Sequence, residues 1–311
     1  MMPDGQDERL YPARKTLQVL NPNIDTNPES KPDAKLSPFF VKQQPSQTLA
    51  DLIIPESDKL VLSQIINKCH SGQKRDLETW GFKPNSHKHG AVLLLYGAPG
   101  TGKTFTAGVI ANELKRDLLI LNVPELRDKY YGETEKLVKR AFCEMRELAA
   151  DIDNAPVFLL NEADQLIHNR IANTSTCSTI ENTIQSIILE ELETFPGILI
   201  LTTNFETNMD EAYFRRFDLK FKFSLPDLDS RRKLWKLYLR SEIPGSGEID
   251  VEILAQRYQF SGAQIAMVVQ NACIEAISRI GTAQKLELSD LLKYAELEQP
   301  WASKINKSIG F

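Results

Sequence analysis

A glycine-rich octapeptide follows the apolar run Ala91–Tyr96 and reads Gly97-Ala98-Pro99-Gly100-Thr101-Gly102-Lys103-Thr104. A phosphate chain needs many N–H donors converging on it, and a glycine-rich turn lets the backbone approach closely enough to supply them. In this G-x-x-x-x-G-K-T pattern, Lys103 can neutralise the β- and γ-phosphates and the Thr104 hydroxyl can bind Mg²⁺. An ordinary glycine-rich turn is the alternative, but here every fixed position is filled between a strand and a helix. The motif therefore predicts binding of a nucleoside triphosphate.

An apolar strand with a polar end is the second candidate element. The run Val157–Leu160 is followed by Asn161 and Glu162, with Asp164 nearby. In phosphate-loop enzymes this place usually carries an aspartate that orients water on Mg²⁺, then a glutamate that acts as base for the attacking water. We expect Glu162 to be catalytic and Asn161 to contact Mg²⁺ through water, without the usual negative charge. A buried strand that happens to end in polar residues is the alternative.

Two further groups lie at the end of another apolar strand and beyond it. Asn204 closes the sequence Thr202-Thr203-Asn204 and could hold the lytic water opposite Glu162, although asparagine is common at strand ends. Paired arginines are usually a solvated surface or a salt-bridge site. Arg215 and Arg216, however, lie before the final predicted strand, where a subunit edge is expected.

Short β-prone runs alternate with helical stretches, which predicts a parallel sheet covered on both faces. A helix is predicted after Pro55 and another from Thr104 to about Glu113, with further helices at Glu133–Ala149 and Ile180–Glu193. In such sheets ligands bind at the carboxyl ends of the strands. The predicted strands are Ala91–Tyr96, Leu118–Val123, Val157–Leu160, Ile198–Thr203 and Leu219–Phe223.

Three regions are predicted along the chain. Residues 1–46 contain seven of the sixteen prolines and no sustained periodicity, which is typical of a disordered tail. Residues 47–225 carry the α/β alternation, and residues 226–311 show only helical patterns. These predicted helices are Ser230–Arg240, Asp250–Gln256, Ser261–Arg279 and Ser289–Leu297.

Composition narrows the class of protein. The chain has 311 residues, 42% hydrophobic and 25% charged, as in globular proteins. It has no apolar stretch long enough to span a bilayer and a polar N-terminus, so we expect a cytoplasmic protein without a membrane span. Its four cysteines, and His87 and His89, fit no metal or redox spacing. A net charge of −5 argues against bulk nucleic-acid affinity.

Together these motifs resemble the AAA ATPases of the AAA+ superfamily, from about Thr48 to about Leu297. Leu126–Lys136 is similar to the first pore loop and following helix of the protein-remodelling branch, which includes katanin, spastin and the proteasomal ATPases. Ser261-Gly262-Ala263 is similar to a motif in the small helical lid of that branch. The resemblance implies an α/β fold of the P-loop NTPase type, an αβα sandwich with a small C-terminal all-α lid domain.

The resemblance also implies roles for particular residues. Asn204 would be sensor 1, and Arg215 and Arg216 would be arginine fingers that reach a neighbour's γ-phosphate. Glu193-Thr194-Phe195 replaces the Asp-Gly-Phe intersubunit signal common in the branch, and the Asn-Glu-Ala-Asp form at Asn161 resembles a group of bacterial AAA proteins. Nucleotide contacts would come from the phosphate loop together with Leu52, Ile53, Phe105, Gly262 and Ala263.

Three functions are consistent with these features. The first is an ATP- and Mg²⁺-dependent homo-oligomeric ring, a hexamer, that grips a protein substrate or adaptor through Lys129, Tyr130 and Tyr131, since aromatic side chains grip peptides without sequence preference. The second is a nucleotide-dependent assembly module that hydrolyses slowly because of Asn161. The third is a DNA-directed motor, which the acidic composition disfavours.

Overall fold

The computed structural model describes residues 36–70, 79–81, 90–126, 133–151, 154–167, 176–204, 211–279 and 284–309. Within them the strands are β1 (Phe40–Gln43), β2 (Ala91–Gly97), β3 (Leu118–Leu121), β4 (Val157–Leu160), β5 (Ile198–Thr203) and β6 (Leu219–Phe223). They form one sheet in the spatial order β1-β3-β4-β5-β2-β6. β1 pairs antiparallel with β3, and the other pairings are parallel.

Helices alternate with these strands and then continue alone. In the first part they are α1 (Glu56–Cys69), α2 (Lys103–Glu113), α3 (Val123–Leu126), α4 (Glu133–Leu148), α5 (Thr176–Thr194) and α6 (Glu211–Phe214). After β6 follow α7 (Leu228–Tyr238), α8 (Val251–Arg257), α9 (Gly262–Ile277) and α10 (Leu288–Ile309). The predicted α/β fold with a helical C-terminal region is confirmed.

The strand β1 contradicts part of the predicted disordered tail. Phe40 is buried, packs its ring edge-on against Phe158 with 6.5 Å between centroids, and pairs with Leu121. A four-residue edge strand is too short to show a clear alternation of apolar and polar residues, so the surrounding prolines dominated the pattern. The prediction of disorder is wrong for Phe40–Gln43, and residues 1–35 lie outside the described part of the chain.

Hydrophobic packing holds the helices against both faces of the sheet. One core lies between the sheet and the helices α1 and α2, with Leu62, Ile66 and Ile110 packed against strand residues such as Leu93 and Leu159. On the other side, Phe195 lies edge-on between Phe158 of β4 and Phe142 of α4. Helices therefore cover both faces of the sheet, as parallel strands require.

A separate hydrophobic core belongs to the C-terminal helices, and Trp235, Leu254, Tyr258 and Ile265 are buried in it. Local caps fix where these helices begin. The carboxylates of Asp227 and Asp250 accept hydrogen bonds from backbone N–H groups at the starts of α7 and α8. Ser261 and Gln264 form a reciprocal capping box at the start of α9. The predicted boundaries at residues 46 and 225 stay a prediction.

Parallel pairing brings the carboxyl ends of β2, β4 and β5 to one edge of the sheet. Tyr96 lies opposite Thr203, and Leu160 lies opposite Leu201. The residues that follow these strands are therefore neighbours in space, although they are distant in sequence. No helix among the described residues is long and apolar enough to cross a membrane.

Candidate nucleotide-binding site

The turn between β2 and α2 depends on glycines at fixed points. Gly100 and Gly102 have φ values of 73° and 99°, in the left-handed region that favours glycine. A Cβ atom at Gly100 would lie 2.7 Å from both the Ala263 Cβ and the Ser261 Oγ. The loop is therefore shaped by backbone conformation and by its close contact with the start of α9.

That contact joins the phosphate loop to the helical region. The Ala263 N–H donates to the Gly100 carbonyl at 3.2 Å, and a Cβ atom at Gly262 would lie 3.6 Å from the same carbonyl oxygen. The motif Ser261-Gly262-Ala263 thus contacts the loop through main-chain atoms, and a Cβ atom at Gly262 would also lie 3.5 Å from the Leu234 side chain of α7.

Lys103 is the cation of the loop and is buried, with 7% of its surface exposed. Its Nζ donates to the carbonyls of Gly97 and Ala98 at 2.9 and 2.7 Å. Burial lowers the pKa of Lys103 to about 8, and the negative charge of Asp164 opposes that shift. Since an anion beside Nζ would favour the charged form, this ammonium is suited to a phosphate.

Opposite the loop, Asn161 connects three elements through hydrogen bonds. The Thr104 hydroxyl donates to its Oδ1 at 2.7 Å, and the Thr202 hydroxyl donates to the same oxygen at 2.8 Å. The Thr202 Oγ1 also accepts the Glu162 N–H at 3.1 Å. The end of β4 is thereby tied to the start of α2 and to the end of β5.

Glu162 has an unusual backbone, with φ 53° and ψ 51°. Its carboxylate is exposed and accepts a hydrogen bond from Gln165 Nε2 at 2.5 Å. A non-glycine residue in this conformation is uncommon, and such strain concentrates at functional sites. Nearby, the Thr203 hydroxyl donates to Asp164 at 3.0 Å, so the second polar residue of the strand end is also fixed.

Residues of the phosphate loop and of the strand ends line one cleft with a volume of about 560 Å³, within the range of small-molecule sites. Glu162, Asn161 and Asn204 lie together in it. From the predicted nucleotide contacts it contains Leu52, Ile53, Pro99, Gly100, Thr101, Gly102, Lys103, Thr104, Phe105, Gly262 and Ala263. Gly97 and Ala98 are not among its described lining residues and instead support Lys103.

Further lining residues were missed in the sequence. An apolar wall is completed by Pro226, Leu234, Leu237 and Tyr238, which come from the connection after β6 and from α7. Asp51, Thr202 and Thr203 complete the polar part. The periodicity of α7 indicated a helix, but no local signal indicated that this helix would close a cleft more than 100 residues away in sequence.

The donor set fits a nucleoside triphosphate and Mg²⁺. The start of α2 supplies backbone N–H groups without intrahelical partners, and Lys103 adds a positive charge. Because the Thr104 hydroxyl donates its hydrogen to Asn161, the lone pairs of its oxygen can bind a cation. Among the described residues no group of three or more His, Cys, Asp or Glu side chains could hold a metal ion.

Arg215 and Arg216, the candidate arginine fingers, are described by the structure, whereas the candidate pore loop is not. Arg215 and Arg216 are absent from the described lining of the cleft, and Arg216 lies 3.4 Å from Glu193 Oε2 in an ion pair. The predicted pore-loop residues Lys129, Tyr130 and Tyr131 lie outside the described part of the chain.

The segment Glu193-Thr194-Phe195 is fixed within the chain. Phe195 is fully buried, and Arg146 donates to the Thr194 hydroxyl at 2.6 Å and to Glu191 at 2.6 Å. Because Phe158, the partner of Phe195, is on β4, this segment contacts the strand that is followed by Asn161.

A protein-family model matches part of this chain. Residues 93–225 match the model of the ATPase family associated with various cellular activities (AAA). Those residues include the phosphate loop from its preceding strand onward, both polar strand ends and the paired arginines.

Individual relatives are similar to parts of this chain at modest sequence identity. "Protein SAV" of Sulfolobus acidocaldarius is 30% identical over 66% of this chain and 26% of its own length. Katanin p60 ATPase-containing subunit A1 of Strongylocentrotus purpuratus is 28% identical over 70% of this chain and 45% of its own. A proteasome-associated ATPase of Catenulispora acidiphila is 32% identical over 61% and 34%, respectively. The chain thus spans less than half the length of each of these relatives.

Proposed function

Since the chain contains an AAA ATPase domain, we propose that it binds ATP with Mg²⁺ in the cleft between the phosphate loop and α7, and hydrolyses it there. The observation that carries this proposal is the convergence of Lys103, Thr104, Asn161 and Glu162 on one cleft of suitable size. When bound, Mg²⁺ would neutralise developing charge on the phosphates.

Different residues of the cleft would bind the nucleotide and activate the attacking water. Leu52, Ile53 and Leu237 offer an apolar surface for the base, and Lys103 holds the phosphates by charge. Glu162 would accept a proton from the attacking water, because its exposed carboxylate lies at the cleft and its backbone is held by Thr202. Asn204 would orient that water, since it lies in the same cleft.

We further propose that the active form is a homo-oligomeric ring, in the manner expected of AAA proteins. Arg215 and Arg216 follow α6 and do not line the cleft of their own chain among the described residues. An arginine that serves a neighbour's phosphate would have this placement. The ion pair between Arg216 and Glu193 would link the neighbour's cleft to the segment that packs on β4.

The ring is tested by mixing two inactive variants. Arg215→Ala and Arg216→Ala should each lower turnover, by about 10³–10⁵ if the residue acts as an arginine finger. An equal mixture of either with Lys103→Ala should regain activity, because some interfaces then pair an intact loop with an intact arginine. Size measured with and without ATP should show assembly. Turnover strictly linear in protein concentration, with no recovery in the mixture, contradicts the proposal.

For the substrate we propose a polypeptide, gripped by Lys129, Tyr130 and Tyr131, in a cytoplasmic setting. The support is the similarity to katanin and to a proteasome-associated ATPase. Tyr130→Ala should remove stimulation of ATP turnover by an unfolded protein such as casein, whereas Tyr130→Trp should keep it because a large aromatic surface remains. Stimulation that survives Tyr130→Ala would contradict this assignment.

One observation favours a second candidate function. Asn161 carries no charge, yet its oxygen is held by two hydroxyl groups, so the site is built around an amide. Without a negative charge at this position Mg²⁺ would be held less firmly, which would slow hydrolysis and prolong the ATP-bound state. The protein would then act as a nucleotide-dependent assembly module, and a slow turnover without stimulation by any polypeptide would support it.

A further inference from the structure

We propose that Thr202 is a positioning residue that fixes the orientation of the Asn161 amide and thereby the affinity of the cleft for Mg²⁺. This inference rests on the proposed function. An aspartate has two equivalent oxygens, whereas an asparagine side chain has one end that accepts hydrogen bonds and one that donates them. A site that uses asparagine beside a metal therefore needs something to select the oxygen end.

The hydrogen bonds of Thr202 make that selection. Its Oγ1 accepts the backbone N–H of Glu162 at 3.1 Å, so its single hydroxyl hydrogen remains for the neighbour 2.8 Å away, Asn161. A hydroxyl that must donate requires an acceptor, and the acceptor end of an amide is its oxygen. Thr202 is only 2% exposed, which limits the chance that water takes over either bond.

The orientation of the Asn161 amide also determines the hydrogen bonding of Thr104. With Oδ1 of Asn161 in place, the Thr104 hydroxyl donates to it at 2.7 Å and keeps its lone pairs for a cation. If the amide were reversed, the NH₂ group would face both hydroxyls. The Thr104 oxygen would then accept a hydrogen bond and offer less to Mg²⁺. The orientation of one amide thus determines whether Thr104 can serve the metal.

The test measures Mg²⁺ affinity without turnover. Binding of a fluorescent ATP analogue is titrated with Mg²⁺ in the parent and in Thr202→Val, which keeps the shape and removes the hydroxyl. The half-saturating Mg²⁺ concentration should rise by about three- to tenfold, as expected for one buried hydrogen bond. Thr202→Ser should keep the parent value, because it retains the hydroxyl.

An Asn161→Asp background separates positioning from general damage. A carboxylate offers an acceptor in either orientation, so adding Thr202→Val there should change the half-saturating Mg²⁺ concentration by less than about twofold. The melting temperature should still fall in both backgrounds, because the Glu162 N–H loses its partner. If Thr202→Val does not fold, Thr202→Ala is a second hydroxyl-free variant.

A buried hydroxyl that does not line the cleft provides the control. Tyr213 is 1% exposed and donates to Gln185, so Tyr213→Phe should lower the melting temperature without changing the Mg²⁺ dependence. The inference is overturned if Thr202→Val leaves the Mg²⁺ dependence unchanged, or shifts it equally in both backgrounds. A parent protein that binds no nucleotide, with or without Mg²⁺, overturns the proposed function and this inference with it.

Discussion

The phosphate loop and the ends of β4 and β5 face the same cleft but carry charge in different ways. The loop presents a buried ammonium, Lys103, against backbone carbonyls. The strand ends present a neutral amide, Asn161, held by two hydroxyls, and set the exposed carboxylate of Glu162 beside it. Nucleotide binding should depend mainly on the loop, and metal placement and hydrolysis on the strand ends.

Removing the loop's cation should have the largest effect on binding. Lys103→Ala, or the length-matched Lys103→Met, should weaken ATP binding by about 30- to 10³-fold or more, because a buried charge that faces phosphate is lost. Equilibrium binding of a labelled nucleotide measures this. Lys233→Ala, which removes an exposed lysine paired with Asp229, is the control and should bind normally. Tight binding by Lys103→Met would contradict the assignment of the loop.

The pH dependence of binding should report the same lysine. Burial lowers the pKa of Lys103 to about 8, so above that pH the free protein is increasingly neutral at this position. Phosphate favours the charged form, and binding must then take up a proton. Affinity for ATP should therefore fall as pH rises above about 8, by at most about tenfold per pH unit. Lys103→Arg should remove this dependence, whereas a dependence unchanged in Lys103→Arg would assign it to another group.

The contribution of Lys103 to stability should change with pH in the opposite direction to its contribution to ATP affinity. The pKa of an ordinary lysine, 10.5, lies above the folded value, so between about pH 8 and 10.5 the unfolded chain binds more protons at this position. The contribution of Lys103 to the free energy of unfolding should rise with pH across that window. Denaturant titrations of the parent and Lys103→Met at pH 8 and pH 10 measure the difference, and a contribution that falls with pH would contradict the burial of the charge.

Restoring charge at the strand end should have a smaller effect. Asn161→Asp adds a carboxylate beside Thr104 and should lower the Mg²⁺ concentration needed for half-maximal turnover by several-fold, as expected for one added charge near a partly solvated cation. Turnover titrated with Mg²⁺ measures it. An unchanged Mg²⁺ dependence would show that Asn161 does not contact the metal or its water.

The two sides of the cleft also differed in how well sequence predicted them. The phosphate loop is continuous in sequence, and Gly100, Gly102, Lys103 and Thr104 all line the cleft. At the strand ends the sequence predicted each polar residue separately, because each follows an apolar run, but it did not predict how these residues contact one another. The bond from Thr202 to Asn161 could not be predicted, since it depends on the pairing of β4 with β5.

Other parts of the structure depended on long-range contacts in the same way. The strand β1 is held by the ring contact of Phe40 with Phe158 and by its pairing with Leu121. Both partners are far from Phe40 in sequence, so no local pattern indicated them. The contact between Gly100 and Ala263 likewise joins residues far apart in the chain. Sequence patterns predicted the elements and their order, whereas tertiary packing determined which side chains meet.

The most direct test of the account compares ATP binding and ATP turnover in a single preparation of Glu162→Gln. Glutamine keeps the shape and the hydrogen bond to Gln165 but cannot accept a proton, so turnover should fall by about 10²–10⁴. Binding to the intact phosphate loop should remain within about twofold of the parent, since Lys103 and Thr104 are unchanged. Hydrolysis at the parent rate, or loss of binding together with turnover, would contradict the division of the cleft into a binding side and a catalytic side.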